Sequence, residues 1–253
     1  MVLTPPLRSW VVVPTYNEAP NIARLIPLIL QQGEHFAVLV VDDGSPDGTA
    51  DIAASLGQRH QGRVAVLRRT KKEGYGRAVL AGWKEALRLG AGAVYTMDCD
   101  FSHDPEALPR LELQLVHTDI AVGSRYVPGG RTVNWPRRRK LLSATANRLA
   151  RLITGLPVRD CTGGFRGYRR HVIEQLARQR VQSANYTFLV ETLFLAHRSG
   201  FSVGEMPIVF KERELGTSKV DGRLIVSAIV NLLKIGVRRV TTVASPMPAP
   251  DRS

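Results

Sequence analysis

Three apolar stretches within the first hundred residues run into carboxylates and then into helical patterns, and this repeat restricts the chain more than any other feature. Trp10–Pro14 leads to Glu18, Phe36–Val41 to Asp42 and Asp43, and Ala91–Met97 to Asp98 and Asp100. Short β-branched runs bounded by turn residues read as buried strands. Arg63–Arg69 and Asp119–Ser124 supply two more, with amphipathic helices between them. Strand alternating with helix predicts an α/β fold with a mostly parallel central sheet. Parallel strands bring their ends to one edge, and in open α/β sheets ligands bind there.

Asp98-Cys99-Asp100 closes the fourth strand, and Asp104-Pro105 then supplies a helix cap followed by proline at the first helical position. Two hard oxygen ligands at i and i+2 can hold a divalent cation that keeps positions free for phosphate oxygens. The competing reading of this short motif is a turn plus a cap. Thr15–Asn21 forms the loop after the first strand, and Asp42–Gly48 the loop after the second, with Thr49 as the expected helix N-cap. Lys71-Lys72-Glu73-Gly74-Tyr75-Gly76 follows the third strand. It lacks the spacing of a phosphate-binding loop, so an ordinary solvated turn is the alternative. A nucleotide diphosphate with its metal suits the three carboxylate-bearing ends taken together.

The net charge of +13 implies an anionic partner: nucleic acid, a phosphorylated substrate or an acidic membrane. No acidic residue occurs from Ile120 through Arg159, whereas Arg125, Arg131, Arg137, Arg138, Arg139, Lys140, Arg148, Arg151 and Arg159 all do. Gly129-Gly130 and Trp135-Pro136 mark a loop, and a helix over Arg138–Leu152 puts Arg139 and Ser143 one turn apart. Arginine suits phosphate geometry; a solvated basic face is the alternative. Asp160–Tyr168 reads as a glycine-bearing turn and short strand, Asn185–Arg198 as an apolar helix, Phe201–Phe210 as one half-buried strand and Lys211–Arg223 as a mobile loop. Residues 1–9 read as an arm, 10–221 as the catalytic domain, 222–240 as an amphipathic interfacial helix or one packing on the domain, and 241–253 as a disordered tail. Two cysteines, no Cys-x-x-Cys and no signal peptide fit a reduced, cytoplasmic protein. No run approaches the roughly 18–20 apolar residues of a membrane span.

Val13-Pro14-Thr15-Tyr16-Asn17-Glu18, Val41–Thr49, Met97–His103 and Gly123–Tyr126 together resemble glycosyltransferase family 2, and within it the dolichol-phosphate (polyprenol-phosphate) mannose synthase branch. Trp135–Ser143, Asp160–Arg166 and Glu212–Lys219 extend the resemblance over about residues 10–220. It implies a GT-A fold, a nucleotide-sugar donor with GDP-mannose favoured, Mg²⁺ or Mn²⁺, and transfer of one sugar with inversion to a polyprenyl or dolichyl phosphate at a membrane surface. UDP-glucose is the alternative donor, and a separate membrane-anchoring protein is a further partner it allows. By motif position, Pro14, Tyr16, Glu18, Val41, Asp43, Lys71, Asp98, Cys99 and Asp100 line the donor site, with Asp98 and Asp100 on the metal. Arg125, Arg139 and Ser143 receive the acceptor phosphate, and Arg213 and Lys219 lie on a loop over the donor diphosphate. Asp100, Arg125 and Arg139 are then the catalytic residues.

Cys99 stands where the branch usually has alanine, Ser102 where some relatives have glutamine, and Ser183–Tyr186 departs from the common Ser-Lys-Gly-Tyr. The Gln-x-x-Arg-Trp signature of processive synthesis is absent, which favours a single transfer. Nucleic-acid binding is the rival from another class. The basic run has no recognisable module and, Trp135 apart, no interleaved aromatics.

Overall fold

Side chains alternate along the strands and so build two cores, one on each face of a central sheet. The computed structural model describes residues 8–60, 62–179, 181–183, 187–212 and 232–237. In chain order these form β1 (Ser9–Thr15), α1 (Ala19–Leu30), β2 (Phe36–Asp42), α2 (Thr49–Arg59), β3 (Val64–Arg68), α3 (Tyr75–Arg88), β4 (Ala93–Thr96), a 3₁₀ turn (Pro105–Ala107), α4 (Leu108–His117) and β5 (Ile120–Ser124). There follow β6 (Arg131–Val133), α5 (Arg137–Thr154), β7 (Arg166–Arg169), α6 (Arg170–Arg178), α7 (Thr187–Arg198), β8 (Val203–Pro207) and β9 (Val209–Lys211). Trp10, Val12, Leu39 and Val41 pack into the layer that holds α3, α6 and α7. Val11, Val13, Val38 and Val40 pack into the layer of α1, α2 and α4.

The sheet order is β3-β2-β1-β4-β7-β5-β8, with a separate parallel pair of β6 and β9. From β1 the chain moves outward to β2 and β3, then returns to pair β4 with the other side of β1. That reversal leaves a crevice between the ends of β1 and β4, the place where a doubly wound sheet binds its ligand. Among the described strands only β7 runs antiparallel to its neighbours, β4 and β5. Its amino end therefore meets the carboxyl ends of the others, and this delivers Asp160–Phe165 to the same edge as Asp98 and Ser124.

The strands expected from apolar runs are present, and the departures are local. Phe201–Phe210 is two strands, because β8 pairs with β5 while β9 leaves to pair with β6. Residues 131–133, expected as loop, are β6 for the same reason. Residues 170–178, for which no element is expected above, form α6, with Val172, Ile173 and Leu176 as its buried stripe. Thr49 is not a cap but the first residue of α2, and Asp47 accepts from its backbone N–H at 3.1 Å. Of the expected interfacial helix, 232–237 lies within the described residues and is helical. Leu232 and Ile235 are buried while Leu233 and Val237 are exposed. The arm expected over 1–9 ends sooner, because Ser9 already pairs with Phe36 as the first residue of β1, and the loop expected from Lys211 starts later, because Lys211 belongs to β9. Residues 1–7, the remainder of 222–240, the tail, Arg213 and Lys219 lie outside the described residues.

Close approach of α3 to the sheet depends on Gly82. A Cβ there would come within 2.4 Å of Val12 Cγ1 and 2.9 Å of Val41 Cγ2. Both neighbours are β-branched and fully buried, so they have little room to yield. Gly82→Val is expected to destabilise the fold by about 1–3 kcal/mol, the usual range for overpacking a core, as a lower midpoint in chemical denaturation.

Candidate active site

The loops after β1 and β2 are tied to one another by side chains that satisfy backbone amides. Asn17 N donates to Ser45 Oγ at 2.9 Å, Glu18 N to Thr49 Oγ1 at 3.0 Å, and Ala19 N to Asp47 Oδ2 at 3.0 Å. The last two would otherwise be orphan donors at the start of α1. Asp42 is spent on structure: it accepts from Ser45 N and Oγ and from Thr15 Oγ1. Asp43 pairs with Arg69, which also reaches Glu73 at 2.7 Å. Burial pushes the Asp43 carboxyl up, against the opposing pull of Arg69. Lys72 sits 4.0 Å from the centre of the Tyr16 ring, and Lys71 pairs with Glu73 at 3.4 Å on the surface.

Asp98 and Asp100 flank the crevice just beyond β4, whose last residues pair with Val12 of β1. Asp98 keeps 35% of its side chain exposed. Its backbone N–H donates to His103 Nδ1 at 3.2 Å. That ring is fully enclosed between Phe165, stacked at 5.3 Å, and Phe210, edge-on at 5.2 Å. Burial brings the His103 pKa down to about 4, so near neutral pH the imidazole is uncharged and free to accept that bond. Asp100 Oδ1 accepts from Ser102 N at 3.1 Å, which closes a tight turn over Phe101 at φ 59°. A positive φ is unusual for a bulky residue and marks backbone held by its surroundings. Gly164 completes this wall: a Cβ on it would lie 3.6 Å from Asp98 Oδ1 and 2.9 Å from the Tyr75 hydroxyl.

Opposite stands the basic half. Arg125 donates from Nε to Asp160 Oδ2 and from Nη2 to Asp160 Oδ1, both at 2.7 Å, and from Nη2 to Thr162 Oγ1 at 2.9 Å. Asp160 is fully buried and also accepts from Arg125 N and Gly163 N. Burial alone would raise its carboxyl, but the hydrogen bonds and charge of Arg125 outweigh that and hold it below the usual carboxylate range. The same loop is gripped by Arg166, which donates to Gly163 O, Leu189 O and Cys161 O. Glu205 accepts from Arg159 N and Asp160 N, and Asn147 from Cys161 N. On α5, Ser143 Oγ accepts from the Tyr126 hydroxyl at 2.7 Å. One turn earlier Arg139 lies 4.1 Å from the Trp135 ring and donates to Glu212 Oε1 at 2.8 Å.

Asp98, Asp100, Glu18, Asp43, Tyr16 and Lys71 thus lie at one edge, with Arg125, Arg139 and Ser143 on the loops and helix that follow β5. Val41 and Cys99 turn their side chains into the core, so any ligand contact they make is through backbone. Burial, and then nearby carboxylates, push the Cys99 thiol well above its usual range. Pro14 is the penultimate residue of β1, paired with Val41. Arg125 departs most from its expected role, because the face of its guanidinium that would fork a phosphate is given to Asp160. Sequence reasoning missed Asp160, Arg166, Asn147, Glu205, Tyr126 and His103 as architects of the site. Among the described residues no three His, Cys, Asp or Glu side chains gather as a metal-binding group. A cation here would draw on two carboxylates and on ligand oxygens.

Residues 10–177 match the family described as Glycosyl transferase family 2. The chain is 44% identical to a polyprenol monophosphomannose synthase of Mycolicibacterium smegmatis, an alignment covering 92% of this chain and 89% of that protein. It is 40% identical to an undecaprenyl-phosphate mannosyltransferase of Micrococcus luteus, over 91% of this chain and 95% of that one. In fold it resembles the crystal structure of glucosyl-3-phosphoglycerate synthase from Mycobacterium tuberculosis with Mn²⁺, UDP-glucose and phosphoglyceric acid. The TM-score is 0.63 at 16% identity, covering 98% of this chain and 82% of that one. The architecture is accordingly the GT-A fold.

Removing one partner of a buried ion pair strands the other charge, which costs about 3–5 kcal/mol. Asp160→Asn is expected to destabilise the protein by that order near neutral pH. Because the folded Asp160 carboxyl is depressed, its contribution is present above the unfolded value of 3.8 and is lost as pH falls through the folded value. The gap between parent and variant in denaturant titrations should therefore narrow below about pH 3.8.

Proposed function

The chain belongs to glycosyl transferase family 2, and on that premise we propose that it moves mannose from GDP-mannose to the phosphate of a polyprenyl (dolichyl-type) phosphate, with inversion at the anomeric carbon. The observation that carries this reading is the division of the site. Carboxylates at the end of β4 face the crevice where a nucleotide sugar fits, and a basic, acid-free segment supplies Arg139 and Ser143 beside it. The two relatives described above are named as mannose-transferring enzymes of polyprenyl phosphates.

In this reading Pro14, Tyr16, Glu18, Asp43 and Lys71 cradle the nucleoside, and backbone of Val41 and Cys99 completes the floor. Arg213 and Lys219 act on the diphosphate from beyond the described residues. The donor set at Asp98 and Asp100 is hard oxygen on a partly exposed turn, which fits Mg²⁺ or Mn²⁺. Such a cation supplies charge stabilisation to the departing diphosphate. The rest falls to the protein. A phosphate monoester, with a second pKa of about 6, is already a nucleophilic anion near neutral pH and needs no strong general base. Its oxygen bonds to the anomeric carbon as the bond to the diphosphate oxygen breaks. Arg139 and Ser143 hold it in line, and the His103 bond to Asp98 keeps the opposite wall in register. Arg125 anchors the Asp160 loop through its bidentate pair.

A lipid acceptor requires a membrane surface, and among the described residues no helix is long and apolar enough to cross one. The outward face of α5 suits the cytosolic surface of a bilayer. Leu141, Leu142, Leu149 and Leu152 are exposed, and Arg137, Arg138, Lys140, Arg148 and Arg151 stand exposed among them. The helical turn at 232–237 lies alongside, since a Cβ on Gly236 would come within 2.7 Å of Ile153 Cγ2, and it adds exposed Leu233 and Val237. Each buried leucine is worth about 1.5–3 kcal/mol and each cation near anionic lipid about 1 kcal/mol.

Incubation with radiolabelled GDP-mannose and UDP-glucose is expected to yield organic-extractable product from the former; product from the latter alone would overturn the donor assignment. Asp100→Asn should lower this activity by about 100-fold or more with an unchanged melting temperature. Leu141→Glu combined with Leu152→Glu should reduce co-sedimentation with phosphatidylglycerol vesicles and preserve transfer to a short-chain, soluble prenyl phosphate. Undiminished sedimentation would move the membrane contact off α5.

A further inference from the structure

Arg139, placed above at the acceptor phosphate, already holds an anion. Its Nη1 donates to Glu212 Oε1 at 2.8 Å while the guanidinium rests on Trp135. Glu212 arrives there from a strand that is itself fixed by the donor half. Phe210 packs edge-on against both His103 at 5.2 Å and Trp135 at 5.3 Å. Lys211 N donates to Ser102 O at 3.2 Å, within the turn that carries Asp100. The Asp98–His103 turn thus positions the backbone of β9, and the next residue reaches across to the acceptor side. About a third of each partner's side chain is exposed, 31% for Arg139 and 39% for Glu212. An ion pair so open to water is weak and exchangeable. A dianionic phosphate monoester brings more charge and more acceptor oxygens than a carboxylate.

We propose that Glu212 is a positioning residue of the acceptor subsite: its carboxylate occupies Arg139 and holds it over Trp135 until the acceptor phosphate displaces it. This rests on the reading of Arg139 as the acceptor-phosphate residue. Glu212 touches neither donor nor reacting atoms in this scheme. It acts as an internal competitor, keeping the guanidinium oriented and neutralised while the subsite is empty. Its removal should therefore strengthen acceptor binding rather than weaken it, which distinguishes it from a residue that merely supports the fold.

The test compares the parent protein with Glu212→Gln and Glu212→Asp, each also in an Arg139→Ala background, using a short-chain prenyl phosphate with GDP-mannose and Mg²⁺. Glu212→Gln keeps the size of the side chain and removes its charge. The acceptor KM is expected to fall about two- to five-fold, the range an exposed ion pair can contribute, with kcat and donor KM unchanged. Glu212→Asp should restore at least part of the parental KM, and in the Arg139→Ala background Glu212→Gln should have no effect. A rise or no change in acceptor KM for Glu212→Gln, or an effect that survives Arg139→Ala, overturns the proposal while leaving the acceptor reading intact. If Arg139→Ala alone leaves acceptor KM unchanged, the acceptor reading itself fails and this inference fails with it.

Discussion

The buried pair of Arg125 and Asp160 is the contact on which the functional edge depends. A loop of polar backbone at the end of a sheet has no ladder to satisfy its amides and carbonyls, and burying it unpaired would be costly. Asp160 answers this from the centre by accepting from Arg125 and from the loop's own N–H groups. Arg166, Glu205 and Asn147 answer it from three other elements. Such a network is weak evidence for net stability, since desolvation offsets much of its attraction. Its consequence is geometric: β7 is obliged to start at the carboxyl edge and to run against its neighbours. That orientation brings Gly164 close to Asp98 and to the Tyr75 hydroxyl.

Charge is divided across the crevice by topology. The carboxylates Glu18, Asp43, Asp98 and Asp100 belong to the first half of the chain, in the turns that follow β1, β2 and β4. Apart from Arg69, Lys71 and Lys72 after β3, the cations of this edge belong to the segment after β5, which contains no acid from Ile120 through Arg159. Two anions, an acceptor phosphate and a departing diphosphate, must be brought together for transfer, and repulsion between them is the main obstacle. The cations of one wall offset the charge of one anion, and the carboxylates of the other could hold a divalent cation against the second. The aromatic rings of Phe165, His103, Phe210 and Trp135 form the seam between the walls, so the Asp98–His103 turn and the start of α5 are packed against one structure.

Much of this was legible in the order of residues. Apolar runs such as Val38–Val41 have one good solution when flanked by helical periodicity, and the carboxylates at their ends follow from the parallel sheet. Asp98 and Asp100, Arg139 and Ser143 could be picked out because their spacing is local, i and i+2 or one helical turn. Local spacing also shows Val172, Ile173 and Leu176 as a helix stripe.

What the sequence by itself determined was the class of sheet, the gathering of Asp98, Asp100, Glu18 and Asp43 at one edge of it, and the sign of charge on each segment, because these depend on short-range periodicity and composition. The tertiary structure alone decided which charged groups are consumed by the fold. Arg125 and Arg139 look alike in sequence, one buried against Asp160 and the other a third exposed beside Glu212. Asp42 and Asp43 are neighbours, yet one closes its own loop and the other meets Arg69. Partners 35 or 73 residues apart are chosen by strand order and by the direction of β7. Desolvation depends on that packing, so the role of a buried charge cannot be read from its neighbours in the chain.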